Sequence, residues 1–574
     1  MIRVGIFFGG PSREREISFA GGKTAFEHLD KQLFLPVPVF VDGFGRFILL
    51  KEAHMYAADI RSVFSADAPG RASRLYIDSY PGKKNEPVSP EIGQVIGPER
   101  FTDYFDFVFL AMHGPDCEDG AIQGLLEWFR IPYSGPGLLG SSIGINKILQ
   151  NKMLATVVGQ QKATASIAFD EWQKENGPSA VFERIKSQLG LPVVIKAPHQ
   201  GSSIGVAIVK EDDLEKFKAG VNQCFFTATV PGAVWRQKSL AEKQLWADSQ
   251  ADLESGIGYP LFVEDRPVSN PDELIGEIDS CIGEGAEEVL LLSVDFEPEV
   301  LCEEFVEGQE FSCGCIQLDN GRHVALPPTE VIKVDEVFDF NSKYKPGGTR
   351  KRIPVKTSLD RNLKIQDYVV KAAESLDMAV CVRIDGFLTA DGEVVLHDPN
   401  TVPGMSPSSL IFKQMAEIGL NITQSLTYLI RQSMAARIGS AKDTVRVREM
   451  LSGLDNAILK GHGKEKPCRS IWIEPDQEAY QSAKKWYSKI SGAGEFEGRV
   501  LLKRGDGSLV KLPVQLLFKD FIADVLSALD TETDPLILHT RKVCGEITRR
   551  YAGKEDFDPV VFHELPADTF EVEH

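Results

Sequence analysis

Residues 383–405, RIDGFLTADGEVVLHDPNTVPGM, contain two strand-like runs joined by an Asp-Gly turn, a pattern that predicts a β-hairpin. Asp385 lies on the first run, and Asp398 and Asn400 lie on the second. Proteins commonly hold Mg²⁺ with one or two carboxylates plus substrate phosphates, so the hairpin predicts a magnesium site. A solvated hairpin with scattered acids is the alternative, and Arg383 together with the following Pro-Gly turn weakens it.

A second hairpin is predicted at residues 192–209, where the runs PVVIK and IGVAIV flank a turn of small and polar residues. Lys196 ends the first run, and residues 201–205 (GSSIG) form the tip. Small residues let backbone N–H groups approach phosphate oxygens, and a lysine neutralises phosphate charge. The pattern leaves two alternatives open, a phosphate-binding hairpin and an ordinary loop.

Residues 303–311, EEFVEGQEF, place acidic side chains on both sides of a short apolar segment. Such a segment could hold an adenosine, because the ring needs apolar contact and the acids supply polar groups beside it. The alternative is an edge strand with solvated acids.

The N-terminal part has a strand-turn-helix opening that predicts a doubly wound α/β domain. Residues 2–8 (IRVGIFF) form an apolar run typical of a buried parallel strand, and residues 13–29 follow as a helix. Further strands are predicted at 36–41 and 106–111, helices at 120–129 and 141–158, and a polar insertion at about 45–100.

Ligands of doubly wound sheets bind at the carboxyl ends of the strands. Residues 113–120 (HGPDCEDG) lie at such an end, and Asp119 there could instead cap a helix. Residues 14–16 (ERE) begin either a substrate-binding helix or an ordinary charged face, and the glycine pair before them is either a phosphate-approach turn or a plain connection.

The rest of the chain divides into a weakly periodic stretch, a second motif-bearing region and a tail. An inserted subdomain is predicted at 212–300, strands at 311–318 and 381–396, a helix at 405–435, and a separate domain after about 437 with strands at 499–503 and 509–517. Because every chemical motif precedes about residue 430, the tail is expected to be dispensable for the chemistry.

Composition excludes several classes of protein. With 574 residues, 43% hydrophobic and 25% charged, the chain is expected to fold into several globular domains with a cleft between them. The net charge of −20 provides no basic surface for nucleic acid. The start has no signal-peptide pattern, and no apolar stretch approaches the roughly 20 residues that span a bilayer. We therefore expect a cytoplasmic protein without nucleic-acid or membrane partners.

The nine cysteines include no Cys-x-x-Cys pair. Cys313 and Cys315 alternate along a predicted strand and could in principle share a metal. No histidine or third cysteine lies nearby, so buried free thiols are the favoured interpretation.

Taken in chain order, the motifs resemble those of the D-alanine-D-alanine ligase family. The resemblance covers about residues 1–430, with insertions near 45–100 and 215–295, and the tail lies outside it. The motifs are GGPSREREIS, HGPDCEDGAIQGLLEWFRIPYSG, INK, VVIKAPHQGSSIGV, EEFVEGQEF, FNSKYKPGGT and RIDGF…HDPNTVPGMSPSSL.

The resemblance implies an α/β protein with the ATP-grasp fold. Its expected parts are an N-terminal doubly wound (pre-ATP-grasp) substrate-binding domain at 1–140, central and C-terminal ATP-binding α+β units at 141–310 and 311–436, and an additional C-terminal domain at 437–574. ATP would phosphorylate the carboxylate of one D-alanine, and the amine of a second D-alanine would attack the acyl phosphate. Such chemistry depends on positioning and charge stabilisation, and it serves peptidoglycan precursor and cell wall synthesis.

The resemblance also implies ligands for each site residue. Two Mg²⁺ ions, or Mn²⁺ in their place, would be held by Asp385, Asp398 and Asn400. ATP would contact Lys147, Lys196, Ser203, Glu303, Glu304, Val306, Glu310 and Lys343, with the phosphates at Lys147 and Lys196 and the adenine and ribose at Glu303 and Glu310.

Two further groups of residues are implied to act on the amino acids. The catalytic group is Glu14, Ser202, Tyr344, Arg383 and Gly404, of which Arg383 and the Gly404 amide would stabilise an oxyanion. The substrate-binding group is Glu14, His113, Ser409 and Leu410. A neutral Tyr344 beside the second substrate favours D-alanine over D-lactate.

The sequence departs from the family pattern at two positions. Asp398 replaces the usual Glu, and Cys117 replaces a usual Gly in the His-Gly loop. The alternatives are another ATP-grasp carboxylate-amine or depsipeptide ligase, and a nucleotide-binding scaffold without ligase activity. The oligomeric state stays open, a homodimer included.

Overall fold

The computed structural model of the protein describes residues 1–57, 60, 63, 87–201, 204–252, 256–333, 349–440, 444–462, 466–564, 566 and 569–570. It has a mixed α/β architecture of five sheets with helices packed on them. No helix among these residues combines the length and apolar character that crossing a membrane requires.

The strands of the described residues follow each other in this order: β1 (Ile2–Gly9), β2 (Phe34–Val41), β3 (Phe47–Leu50), β4 (Gly93–Ile96), β5 (Phe107–Leu110), β6 (Thr164–Ala168), β7 (Val193–Lys196), β8 (Val206–Val209), β9 (Thr227–Pro231), β10 (Leu261–Val263), β11 (Arg266–Val268), β12 (Glu288–Ser293), β13 (Glu299–Glu304), β14 (Gln309–Gln317), β15 (His323–Ala325), β16 (Thr329–Lys333), β17 (Thr349–Arg352), β18 (Cys381–Leu388), β19 (Val394–Asn400), β20 (Cys468–Ile473), β21 (Glu497–Lys503), β22 (Leu509–Lys511), β23 (Val560–Phe562) and β24 (Thr569–Phe570).

The α-helices of the described residues are α1 (Arg15–His28), α2 (Phe101–Tyr104), α3 (Ala121–Trp128), α4 (Leu138–Ile145), α5 (Lys147–Val157), α6 (Phe169–Trp172), α7 (Gly177–Leu189), α8 (Leu214–Phe225), α9 (Gly232–Gln237), α10 (Leu240–Ser249), α11 (Pro271–Gly283), α12 (Leu359–Ser375), α13 (Leu410–Glu417), α14 (Ile422–Ser440), α15 (Thr444–His462), α16 (Gln477–Ala493), α17 (Ile522–Leu529) and α18 (Pro535–Ala552). Short 3-10 helices lie at Glu52–Tyr56, Pro98–Arg100 and Val514–Phe518.

The first sheet has the order β4-β3-β2-β1-β5, and β1 pairs in parallel with both β2 and β5. This confirms the predicted strands at 2–8, 36–41 and 106–111 and the helix that follows the first strand. Helix α1 packs close to β1, since a Cβ added at Gly22 would lie 2.7 Å from the Phe8 ring. The predicted insertion at about 45–100 contributes the antiparallel strands β3 and β4 to this sheet.

The second sheet, β6-β13-β7-β8, is antiparallel and contains the predicted hairpin as β7 and β8. Within the predicted inserted subdomain, strands β9 to β12 form a third antiparallel sheet of order β11-β10-β12-β9. That sheet has its own apolar core, which includes Trp235, Leu261 and Leu274. The chain then returns to the second sheet through β13.

The fourth sheet has the order β17-β16-β14-β18-β19, with β15 paired to β14. The hairpin predicted from residues 383–405 is confirmed as β18 and β19. The pairing shifts between Ile384 and Asp385, so that Asp385 lies opposite His397 while Ile384 lies opposite Pro399. Asp398 is the extra residue of this bulge, and its φ of 45° accounts for the local bend.

Three predicted elements were wrong in extent. The helix predicted at 141–158 is two helices, because Asn146 leaves helical geometry and its side chain caps α5 by accepting from the Leu149 N–H at 2.9 Å. The helix predicted at 405–435 is interrupted at Gly419, which has a φ of 88°. The strand predicted at 509–517 ends at Lys511, because proline follows at 513 and a 3-10 turn begins.

The tail forms a fifth sheet of order β23-β22-β21-β20-β24, with an apolar core around Tyr480, Val500 and Leu516. It also shares a core with the rest of the chain, since Cys544 and Tyr551 belong to the same buried cluster as Leu426. A boundary at 436 would fall inside α14. Cys313 and Cys315 are buried free thiols, as predicted.

Candidate active site

A cavity of about 190 Å³ lies where the fourth sheet faces the beginning of α1 and the loop after β5. Clefts between sheets and domains are common places for ligand sites. Of the site residues predicted from the sequence, nine line this one cavity: Glu14, His113, Glu310, Arg383, Asp385, Asn400, Gly404, Ser409 and Leu410. Residues separated by almost 400 positions are therefore brought together by the fold.

The β18–β19 hairpin arranges the oxygen donors. Asp385 accepts from Ser312 Oγ at 2.6 Å and from Arg383 Nε at 3.2 Å, so the neighbouring strand β14 and its own strand both orient the carboxylate. Asn400 donates through Nδ2 to the carbonyl oxygens of Asp398 and Arg383, at 2.7 and 3.3 Å. These bonds use the amide nitrogen and leave Oδ1 as the amide atom suited to a cation.

Asp398 faces a pair of lysines. Lys147 Nζ lies 3.5 Å from Asp398 Oδ1, and it also donates to the Gln200 carbonyl at 2.5 Å in the turn of the β7–β8 hairpin. Burial disfavours the charged carboxylate, but the charges of Lys196 and Lys147 and a bond from His397 hold the pKa of Asp398 well below its ordinary value. The carboxylate is therefore ionised, as a metal ligand must be.

Glu303 is the centre of a buried ion cluster at the base of the same hairpin. Its two carboxylate oxygens each lie 2.8 Å from a lysine, Oε1 from Lys162 and Oε2 from Lys196. Asn151 Nδ2 also donates to Oε1 at 2.8 Å. Burial opposes ionisation, but Lys196 and Lys162 outweigh it and keep the pKa of Glu303 far below its ordinary value.

The two lysines of this cluster differ electrostatically. Burial lowers the pKa of Lys162, and the nearby Lys196 adds to that effect, although Glu303 opposes both. For Lys196, burial is outweighed by Glu303 and Asp398, and its pKa lies above the ordinary value. Lys196 thus stays cationic and is the lysine suited to bind phosphate oxygens.

On the N-terminal side, Glu14 and His113 are almost fully buried. A Cβ at Gly201 would lie 2.4 Å from Glu14 Oε1, so the hairpin turn approaches this carboxylate as closely as glycine allows. Burial disfavours a charged His113, but Glu118, whose Oε1 lies 3.6 Å from Nδ1, and Glu14 raise the pKa of the imidazole. The other ring nitrogen, Nε2, has no hydrogen-bond partner in the described part of the chain.

The start of helix α13 forms another wall of the cavity. Ser409 occupies the N-cap position, and its hydroxyl lies 3.0 Å from Ser406 Oγ. Leu410 is the first helical residue, so its N–H belongs to the group of free amides at a helix N-terminus. This end of a helix favours anions, including carboxylates.

Several predicted residues lie elsewhere. Glu304 accepts from the Ala163 N–H at 2.9 Å, and Val306 lies in the connection between β13 and β14. The predicted site residues Ser202, Ser203, Lys343 and Tyr344 fall outside the described residues. Cys117 is buried beside Gly10, where an added Cβ would lie 2.5 Å from its sulfur, so these two residues fit each other.

Sequence reasoning missed Lys162, Ser312 and Lys351, the last two of which line the cavity. Lys162 lies two residues before β6, and the only local signal was a lysine near the start of a strand. Its partner Glu303 is on β13, and pairing between strands so far apart in the chain cannot be deduced from local pattern.

No group of three or more histidine, cysteine, aspartate or glutamate side chains converges on a metal-sized site in the described ranges. The oxygens of Asp385, Asp398 and Asn400 nevertheless come from adjacent strands, and all three are hard donors. Mg²⁺ usually takes only one or two protein carboxylates and completes its shell with substrate phosphates and water. The donor set therefore fits Mg²⁺ that arrives with a nucleotide.

Two family models match the chain. The model described as D-ala D-ala ligase N-terminus matches residues 3–136, and the D-ala D-ala ligase C-terminus model matches residues 163–227 and 218–431. The residues beyond 431 lie outside both matches. Together the two matched regions contain every residue that lines the 190 Å³ cavity. No described residue of the tail lines it.

Curated relatives cover the same part of the chain. A D-alanine--D-alanine ligase of Geobacillus thermodenitrificans is 24% identical over 408 residues, which is 71% of this chain and 88% of the relative. One of Nocardia farcinica is 27% identical over 447 residues, 76% of this chain and 98% of the relative. A solved D-Ala:D-Ser ligase structure from Enterococcus faecalis has 20% identity and a TM-score of 0.49, covering 75% of this chain and 99% of that one.

Proposed function

The chain belongs to the D-alanine-D-alanine ligase family, and from this premise we propose that it uses ATP and Mg²⁺ to join two D-alanines into D-alanyl-D-alanine. The observation that carries the proposal is the single cavity that combines Arg383, Asp385 and Asn400 with Glu14 and His113. A cation site, an oxyanion site and an ammonium site thus lie within one small volume. That is the set of groups which ATP-dependent amide formation needs.

The phosphates of ATP are assigned to Lys147 and Lys196. Both lysines are buried, and both lie close to Asp398, so a phosphate placed between them and the hairpin would meet two fixed cations. Charge-assisted bonds from such preorganised groups are stronger than those from mobile surface lysines. Glu303 keeps Lys196 in position through its 2.8 Å ion pair, and Lys162 balances the remaining carboxylate oxygen.

The metal is assigned to Asp385, Asp398 and Asn400. Bound there, Mg²⁺ would supply neutralisation of the charge on the phosphoryl group. The protein orients the ligand oxygens. Ser312 does this for Asp385, because its hydroxyl donates to the carboxylate at 2.6 Å. Asp398 is one methylene shorter than glutamate, and the bulge that contains it shifts its backbone out of the regular strand register.

Acyl transfer requires stabilisation of a carbonyl oxygen that becomes negative. Arg383 is positioned for this role, because Asp385 holds its Nε at 3.2 Å and the side chain lines the cavity. The Gly404 N–H is the second donor in the proposal. An arginine and a backbone amide approaching one oxygen would lower the barrier without moving a proton.

The two amino acids are assigned to different groups of residues that line the cavity. Glu14 offers a buried carboxylate for the ammonium group of the first D-alanine, and His113 lies beside it. Ser409 and the amide of Leu410 offer hydroxyl and N–H donors for the carboxylate of the second. An acid for one ammonium group and N–H and hydroxyl donors for one carboxylate thus line the same cavity, as the binding of two amino acids requires.

In this proposal the first sheet forms the substrate-binding unit, and the second and fourth sheets form the two halves of an ATP-grasp fold. The sheet of residues 227–293 is an insertion in the central half, and the tail is an additional unit. The product would enter peptidoglycan precursor synthesis, which places the enzyme in the cytoplasm. Whether it acts as a homodimer is tested by its mass in solution.

The test is ADP release by the purified protein with ATP and Mg²⁺, measured with D-alanine, with L-alanine, and with D-alanine plus D-lactate at pH 7. We expect D-alanine alone to suffice, with D-alanyl-D-alanine as the product identified by mass spectrometry. Strong ATP hydrolysis without amino-acid stimulation would overturn the proposal. Mainly D-alanyl-D-lactate in the mixture would replace dipeptide synthesis with depsipeptide synthesis.

The ATP assignment has its own variant. Lys196→Ala removes one of the two buried cations, and we expect the KM for ATP to rise at least tenfold, since a charge-assisted bond contributes about 1.5–3 kcal/mol. Lys371→Ala changes an exposed lysine on α12 that pairs with Asp367 at 2.7 Å and does not line the cavity, and it should leave the KM unchanged. Equal KM values for the two variants would contradict the assignment.

A further inference from the structure

A second and larger cavity, of about 900 Å³, lies where the tail meets the rest of the chain. Helix α16 of the tail forms one wall, the C-terminal half of α1 forms another, and the segment between α13 and α14 forms the third. Its size is that of pockets that hold organic ligands. Of the residues that we assign to ATP, metal or catalysis, none that the structure describes lines it.

The cavity is lined by more cationic than anionic side chains. Five lysines contribute to it, namely Lys31, Lys413, Lys484, Lys485 and Lys489, against three acids, Glu27, Glu52 and Asp520. One pair is internal, since Lys413 Nζ lies 2.5 Å from Asp520 Oδ1. Lys31 and Lys484 donate to the backbone carbonyls of Phe26 and Lys519, and Lys485 and Lys489 are exposed. The cavity therefore presents clustered positive charge in a chain of net charge −20.

Two buried polar atoms at the cavity wall have no hydrogen-bond partner among the residues that the structure describes. They are Nδ1 of His28 and Oγ1 of Thr423, whose residues are 5% and 7% exposed. His28 is held at its other nitrogen by Ser488 Oγ, at 3.1 Å. Buried polar groups in proteins are nearly always paired, so two orphans on one wall indicate that a polar group from outside belongs there.

Burial disfavours the charged form of three of the lysines. It lowers the pKa of Lys31 to about 8 and that of Lys413 to about 8, and it also lowers the pKa of Lys484. Nearby acids oppose the shift in each case without cancelling it. An anion among these ammonium groups would restore the charged forms, and this supplies binding free energy.

The remaining wall is apolar. Phe26, Leu35 and Tyr56 come from the first sheet and its helix, and Ile422 and Leu517 come from the opposite side. A bare inorganic ion would leave this surface in contact with water. A ligand with a charged head and an apolar body would cover both parts of the wall.

We propose that this cavity is a binding site for an organic anion, with a phosphate, sulfonate or carboxylate head beside the lysines and an apolar body against Phe26 and Leu35. In this proposal the tail completes the site, because Lys484, Lys485 and Lys489 all lie on α16. The site is separate from the 190 Å³ cavity described above, which we call the ligase cavity. The two cavities are neighbours, since Ser408 lines both. A ligand bound in the larger cavity would therefore lie beside the segment that leads into α13.

The test uses 8-anilinonaphthalene-1-sulfonate, an aromatic sulfonate, titrated by fluorescence and calorimetry into the full-length protein. Lys485→Glu with Lys489→Glu reverses two exposed charges at the mouth of the cavity, so folding should be retained. We expect the double variant to bind the probe at least tenfold more weakly than wild type. Lys216→Glu with Lys371→Glu makes the same charge change on exposed lysines of α8 and α12, and should bind like wild type.

A second variant addresses the buried wall. Thr423→Val keeps the shape of the side chain and removes the unpartnered hydroxyl, and we expect a several-fold weaker probe affinity. Probe binding that is the same in wild type and in both cavity variants would overturn the proposal. So would a loss of the same size in the Lys216→Glu/Lys371→Glu control, because the probe would then respond to net charge alone.

Discussion

At the scale of single residues, the ligase cavity depends on buried charges that are held by other charges. Glu303, Lys162 and Lys196 form one cluster, and Asp398 with Lys147 forms its continuation toward the proposed metal site. Removing one member of a buried ion cluster leaves an uncompensated charge, which costs more than the pair contributes. The cluster thus holds the lysines of the proposed phosphate site in fixed positions, and its members are difficult to replace singly.

Glycine at position 201 is a testable part of this arrangement. In Gly201→Ala the new Cβ would lie 2.4 Å from Glu14 Oε1, and a buried Glu14 has little room to turn away. We expect the KM for the first D-alanine to rise at least tenfold, with a smaller change for ATP. Steady-state kinetics with each substrate varied separately measures this.

The control for that variant is Gly276→Ala in α11, where an added Cβ meets nothing within 4 Å. Alanine there should be neutral or stabilising, because glycine in a helix costs about 1 kcal/mol relative to alanine. If Gly201→Ala raises the KM for D-alanine and the KM for ATP equally, the effect of the hairpin turn does not depend on its contact with Glu14.

His28 predicts a pH dependence of stability. Burial and the nearby Lys31 lower its pKa to about 4, so the folded protein keeps the imidazole neutral while the unfolded chain protonates near its ordinary value of about 6.5. The stability that this residue provides is complete above about pH 6.5 and is lost as the pH falls toward 4. The loss is on the order of 2–3 kcal/mol.

Urea unfolding between pH 7.5 and 4.5 tests this dependence. His28→Gln should lose less stability than wild type over that interval, because the variant has no imidazole to keep neutral. His563→Gln alters an exposed histidine and should follow the wild-type profile. Parallel profiles for wild type and His28→Gln would show that His28 is not buried in a neutral form.

At the scale of elements, the break between α4 and α5 positions Lys147, one of the two lysines that we assign to ATP phosphates. Asn146 caps α5, and its Nδ2 lies 3.1 Å from His199 Nε2, in the turn of the β7–β8 hairpin. Lys147 follows directly, and its N–H donates to the Pro198 carbonyl at 3.1 Å. The cap therefore joins the helix that carries Lys147 to the hairpin that carries Lys196.

Asn146→Ala removes this cap. We expect a loss of about 1 kcal/mol in the free energy of unfolding, as for other N-caps, and a several-fold rise in the KM for ATP. Asn270→Ala is the matched control, since Asn270 caps α11 by accepting from the Glu273 N–H at 3.0 Å, far from the cavity. That variant should show the stability loss without the kinetic effect, and an equal kinetic effect in both would exclude a local role.

At the scale of the whole molecule, the tail is bound to the rest of the chain by a shared core and by ion pairs. The ring of Tyr551 contacts that of Tyr428, with centroids 5.6 Å apart. Arg431 pairs with Asp455 at 3.0 Å and with Asp319 at 2.9 Å, and Arg550 pairs with the same two acids. The tail contributes no residue to the ligase cavity, but its loss would expose apolar surface.

The shared core and ion pairs change the result that we expect when the tail is removed. A chain ending at residue 440 keeps every residue of the ligase cavity, yet we expect it to be aggregation-prone, because the surface that Cys544, Ile547 and Tyr551 cover becomes exposed. Tyr551→Ala in the full chain should cost about 3–5 kcal/mol, the usual loss for a buried aromatic residue. Thermal unfolding and size-exclusion chromatography measure both, and a monomeric, stable truncated protein would show that the tail is an independent domain.

Local sequence was sufficient for elements whose pattern is strong. The apolar run of β1, the glycine-containing β7–β8 hairpin and the β18–β19 hairpin were all predicted, because alternation and turn residues are properties of neighbouring positions. The motifs also predicted nine of the residues that line the ligase cavity. Helix breaks at Asn146 and Gly419 were missed, since the apolar pattern continues through both.

The sequence by itself thus determined the chemistry of the groups: hard oxygens on one hairpin, lysines on another, and an acid at the start of a helix. Only the tertiary structure decided which of them meet. Lys162 joins Glu303 because β6 and β13 pair across more than a hundred residues, and Asp398 reaches Lys147 through a bulge. Likewise the tail's lysines join Lys31 and Lys413 in one cavity. Such contacts arise from packing between distant segments, for which no local pattern exists.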